Sequence, residues 1–93
     1  MTNLVFVEQL REYAVDDAAY GRLCADFGDL LEACTWMLKT AADVEGRVLT
    51  RSELEDLLVD IDVNFVEHAL YHLTSLRKDL KETLDNFPGE DEE

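Results

Sequence analysis

Positive charge is scarce in this chain: eight Lys and Arg stand against 22 Asp and Glu, a formal net charge of −14 on 93 residues. A field of that sign excludes an unassisted grip on phosphate backbones or anionic lipid and favours cationic partners, because steering follows the summed charge. Backbone breakers are scarce too, with four Gly and one Pro. No segment alternates apolar and polar residues for long enough to make a strand, so helices dominate the expectation. A long apolar run is also missing. Leu4 to Val7 is too short for a membrane span or a signal sequence and no basic segment precedes it, which points to a cytoplasmic chain with no membrane contact.

The motifs of catalysis are absent as well. There is no nucleophile with a base at a recognisable spacing, no Gly-rich phosphate loop and no pair of carboxylates facing an expected cavity, so no enzyme and no cofactor are expected. Asp43 to Leu54 carries a Gly46 and a later Glu53, but aligned as a calcium loop its first and twelfth positions fall on Ala41 and Ser52, which cannot anchor the ion. Cys24 and Cys34 lie about 15 Å apart along one expected helix, beyond the roughly 7 Å between Cα atoms that a disulfide spans. Both are expected to be reduced core residues.

What is there reads as one small all-α domain. At 47% hydrophobic residues the chain is apolar enough to fold despite its charge. Residues 1–89 are expected to form a compact bundle of about four helices, two long and two short, followed by an acidic tail at 90–93. The first helix, about Asn3 to Ala14, presents Phe6, Leu10 and Tyr13 at helical spacing, widened by Val7. Asp16 or Asp17 is placed to cap the second, about Asp17 to Glu45, in which Tyr20, Phe27, Cys34 and Ala41 interleave with Leu23, Leu30, Met37 and Val44. Gly46 is placed to end it in a left-handed conformation, with Val48 and Leu49 folding back over the last turn.

Thr50-Arg51-Ser52-Glu53 has the form of a capping box and opens the third helix, whose Leu54, Leu57, Leu58 and Ile61 face the expected core. Asp62, or Asn64 with Glu67, is placed to start a fourth helix running to about Asn86 on Val66, Ala69, Leu70, Leu73, Leu76, Leu80 and Leu84. Phe87-Pro88-Gly89 stops it.

Four constellations break the pattern. Between Ser52 and Ser75 there is no Lys or Arg, while Glu53, Glu55, Asp56, Asp60 and Asp62 fall there, mostly opposite the leucines. Carboxylates three or four positions apart stand about 5–6 Å from each other, of the order of a phosphate strand, so the face suits a surface built for nucleic acid. A plain solvated face, or adaptation to a high-salt host, accounts for the same residues. Trp36 projects away from its helix's main apolar stripe, among Asp29 and Glu32. Either the first helix shelters it or it anchors a partner. Arg77 interrupts the leucine stripe of the fourth helix, with its head lifted to water or paired across an interface. His68 and His72 at i, i+4 supply two ligands, which are not a site; a third is sought in Asp79 or Glu67. They are expected as incidental surface histidines, with no metal site.

The functional expectation is a non-enzymatic acidic inhibitor or regulator that docks on a basic surface of another protein, itself a nucleic-acid binder where the carboxylates mimic phosphate. Glu53, Glu55, Asp56, Asp60, Asp62, Trp36, Asp29 and Glu32 form the expected partner-binding set. The alternative is a homo-oligomeric helical structural or adaptor subunit, such as a homodimer, whose charge serves solubility.

Overall fold

The computed structural model describes residues 4–89. Asn3, at the expected start of the first helix, and the acidic tail lie outside the described residues. The chain is all-α, and no strand occurs among the described residues. Helix α1 spans Val5–Gln9 and tightens into a 3-10 turn at Leu10–Glu12; α2 spans Asp17–Val44. The remainder is α3, Arg51–Ile61, a π-helical segment, Asp62–Glu67, and α4, His68–Asp85.

The local signals act where they were read. Asp16 accepts a hydrogen bond from the Ala19 backbone N–H at 2.8 Å and caps α2. Gly46 has φ +74° directly after the last turn of α2, a conformation that costs an L-residue about 1–2 kcal/mol. Val48 does not fold back over that turn but stands in solvent. The capping box is complete: the Thr50 N–H donates to Glu53 Oε1 at 3.0 Å and the Glu53 N–H to Thr50 Oγ1 at 3.2 Å.

That box makes α3 sensitive to acid. The hydrogen bond from the Thr50 backbone holds the Glu53 carboxyl below its usual value, with the Thr50 hydroxyl and Arg47 acting in the same direction. A depressed folded value means the contribution is fully present above the unfolded pKa of about 4.3 and is lost as pH falls through the folded one. The Thr50 amide resonance is expected to titrate below the ordinary carboxylate range in the natural chain. Glu53→Gln, which still caps, is expected to abolish that titration.

The expected break at Asp62 does not occur. Asp62 is helical, with φ −61° and ψ −48°, and the helix continues from Arg51 to Asp85. Neither Asp62 nor Asn64 forbids helical backbone, and caps permit an end without enforcing one. A π-helical turn holds one residue more than an α-helical turn, which rotates the preceding residues by about 100° relative to those that follow. The Leu54, Leu58 and Ile61 face would otherwise continue the face of α4 that meets α2. It is turned instead toward the flank of Leu70 and Leu73. Leu54 and Leu58 are exposed accordingly, and no residue of α3 is buried.

The architecture is therefore a helical hairpin with an N-terminal arm, rather than a compact four-helix bundle. It measures 59 × 24 × 20 Å with a radius of gyration of 17.7 Å, where a compact chain of this length has about 12 Å. α2 packs chiefly against α4 and has few contacts with α3. The seam between them is narrow: Ala19, Leu23, Asp26 and Ala33 meet Ala69, His72, Leu76, Asp79 and Thr83. Three alanines let the backbones approach, but they leave little apolar area to bury.

Candidate functional site

In an antiparallel pair of right-handed helices, residues one position after the seam point to the same face of the pair on both helices. Residues one position before it point to the opposite face. The hairpin uses this difference. Leu70, Leu73, Arg77, Leu80 and Leu84 each follow a buried seam residue of α4, and Phe27, Leu31, Cys34 and Leu38 occupy the equivalent flank of α2. On that face Leu38 is 73% exposed, Leu84 66% and Leu70 58%, with Leu73 and Leu31 also exposed. The helix-four leucines expected in the core are thus mostly outside it. Cys34, expected as a core residue, is exposed for the same reason, and both cysteines are free thiols.

The N-terminal arm covers one end of this apolar face. Phe6 meets Phe27 edge to face, with ring centroids 5.2 Å apart, and the Arg11 guanidinium lies 4.6 Å above the Tyr20 ring. Tyr13 stacks on Phe87 at 3.9 Å, and the Asn86 side-chain amide donates to the Tyr13 carbonyl at 2.7 Å. Val7, rather than Phe6, is the buried residue of α1. Beyond Leu31 the arm ends and the stripe is open. Arg77 lies exposed within it, with no ion pair among the described residues.

The opposite face is polar. Asp29, Glu32, Ala33 and Trp36 of α2, Val63 and Asn64 of the π-helical segment, and His68 line a shallow hollow. Trp36 is half-buried there, and the residues that line the hollow opposite it belong to the π-helical segment and α4, not to the first helix. His72 is no surface histidine. It is 7% exposed, its Nδ1 lies 2.8 Å from Asp26 Oδ1 and its Nε2 3.0 Å from Asp29 Oδ2. Carboxylates only accept, so the imidazole Nδ1–H donates to Asp26. The second Asp26 oxygen is buried with no hydrogen-bond partner.

Farther along the seam, Arg22 donates through Nε and Nη2 to the two oxygens of Asp79, both at 2.9 Å. Asp79, a residue weighed above as a metal ligand, is thereby committed to Arg22. The acidic residues of α3 are all exposed. Glu53 is occupied by its cap and by Arg47 Nη2 at 3.3 Å, while Glu55, Asp56, Asp60 and Asp62 have no ion pair among the described residues. Helical spacing puts Glu53, Asp56 and Asp60 along one side of α3 and Glu55 with Asp62 along the other.

Sequence reasoning missed Asp26, His72, Arg22 and Asp79 as partners. Their signal was the 3–4 spacing of Ala69, His72, Leu76, Asp79 and Thr83, which is seam-like once polar residues are admitted to it. Among the described residues no helix is long and apolar enough to cross a membrane. Compared with known proteins, the chain matches no family model, no curated protein and no solved structure, so geometry alone carries the functional reading.

Proposed function

We propose that the chain is a non-enzymatic homodimeric helical subunit, in which the open leucine face closes on a second copy and two hairpins complete one four-helix bundle. The observation that carries this is the exposure of Leu31, Leu38, Leu70, Leu73 and Leu84 on one face, beside a narrow seam whose buried leucines among the described residues are Leu23 and Leu76. A second copy would bring a matching set of open leucines to the same face, and the arm leaves that face free beyond Leu31. Exposed patches larger than a few hundred Å² are rare on monomers. Parallel stacks of leucine from two hairpins also suit the two-fold pairing that dominates homo-oligomers.

The second reading, docking on a basic surface of another protein, is supported by the four unpaired carboxylates Glu55, Asp56, Asp60 and Asp62. The two readings respond oppositely to salt. Dimerisation of a chain carrying −14 works against its own charge, so screening tightens it, whereas docking on a cationic surface weakens as salt rises. Sedimentation equilibrium of the pure chain at micromolar concentration is expected to give twice the chain mass, with a dissociation constant that falls between 0.05 and about 0.5 M NaCl. A monomer at both salt concentrations removes the homodimer.

A further inference from the structure

We infer that Asp29, His68 and His72 bind one divalent transition-metal ion of the Zn2+ class, with Asp26 orienting His72 from behind. One ligand atom from each of the three residues lies within 4.8 Å of the other two. Ligands about 2.05 Å from a tetrahedral ion stand about 3.3 Å apart, and His72 Nε2 is already 3.0 Å from Asp29 Oδ2. His68 stands one helical turn before His72, the ring centroids 4.7 Å apart. Its side chain is exposed, so rotation about its own bonds brings its nitrogen in without disturbing the packing.

Asp26 supplies the second, independent observation. A carboxylate buried at 4% exposure with one oxygen unpartnered is costly to keep in a small seam, and it does one thing there. By accepting from Nδ1–H it fixes the imidazole in the tautomer whose Nε2 lone pair faces Asp29 and the hollow. Metal-bound histidines commonly donate their other ring nitrogen to a carboxylate in this way. Two imidazoles and one carboxylate are too nitrogen-rich a set for Ca2+ or Mg2+ and suit a borderline first-row ion. Three protein ligands leave the fourth position to water, on the side lined by Trp36, Val63 and Asn64. The site lies on the face opposite the leucines, so it is independent of dimerisation.

The test is calorimetric titration of the full chain with ZnCl2 at pH 7.5, followed by Co2+ as a spectroscopic substitute. One ion per chain is expected at a micromolar or tighter dissociation constant, with visible Co2+ absorption and quenching of Trp36, the chain's single tryptophan. His68→Ala, at an exposed position, is expected to keep the fold and lose at least a hundredfold in affinity. Asp26→Asn is expected to lose about ten- to a hundredfold. Unsaturable heat spread over surface carboxylates, or saturable binding that His68→Ala leaves unchanged, overturns the site. A Leu73→Asp chain is expected to bind Zn2+ as the natural chain does, whether or not the natural chain dimerises.

Discussion

A chain carrying Leu70→Asp and Leu73→Asp is expected to sediment as a monomer where the natural chain sediments as a dimer, with its helical circular dichroism unchanged. Both leucines are about half exposed in the single hairpin, so the substitutions remove little from the chain's own packing. In the dimer each is covered, and full burial of a leucine is worth about 1.5–3 kcal/mol. Two-fold symmetry counts every substitution twice, and about half of each side chain is already covered in the single hairpin, so four side chains remove at least about 3 kcal/mol, or about two orders of magnitude in affinity. The added charges deepen the loss. Leu76→Asp is the control, because Leu76 is 7% exposed and belongs to the intrachain seam. It is expected to unfold the hairpin itself. A double variant that still dimerises with the natural affinity would show that the leucine face is not the interface.

The elements governed by nearest neighbours were legible in the sequence, and those governed by a distant partner were not. Asp16, Gly46 and the Thr50–Glu53 box act within one turn of backbone, and each performs its expected role. Periodicity grouped Leu70, Leu73, Leu80 and Leu84 on one face, as they are. It does not say what covers that face. A stripe facing its own chain and a stripe facing another copy have the same spacing, so spacing alone does not separate a core from an interface. Asp62 illustrates a different gap. A capping side chain is a possibility offered to the backbone, and where no Gly or Pro enforces an end the helix runs through, absorbing the mismatch as a π-helical turn.

The candidate site was divided in the same way. Asp29, Glu32 and Trp36 were singled out as neighbours on one helix, and they do line one hollow, but as its wall against residues 63–68 rather than as an isolated exposed anchor. His72 is expected at the surface because the leucines define the apolar face of its helix. The seam in fact lies one residue to the side of Leu70, Leu73 and Leu84, through Ala69, His72, Leu76, Asp79 and Thr83. A hydrogen bond between Asp26 and His72, 46 residues apart, leaves no local mark in the sequence.

That seam yields the second large effect, an asymmetry between the two halves of one ion pair. Arg22→Ala is expected to destabilise the chain strongly, because it leaves the buried Asp79 carboxylate without its partner, whereas Asp79→Leu is expected to cost far less. The reason is where each group goes when the other is removed. The Asp79 side chain is 1% exposed and the Arg22 side chain 49%, so an orphaned carboxylate stays in the seam while an orphaned guanidinium turns into water along its apolar stem. A leucine at position 79 also adds apolar contact between Arg22's helix and α4, and replacing buried pairs by apolar residues is often neutral or stabilising. Urea unfolding at one fixed protein concentration, in the Leu70→Asp/Leu73→Asp background so that association does not contribute, measures both. For a chain of this length total stability is about 5–14 kcal/mol, so Arg22→Ala removes a large share of it. The double variant Arg22→Ala/Asp79→Leu is expected to recover most of the loss, which separates an uncompensated charge from simple loss of arginine packing. If Arg22→Ala and Asp79→Leu are equally destabilising, the pair contributes by attraction and not by satisfying a buried carboxylate, and the same conclusion then extends to Asp26 and His72.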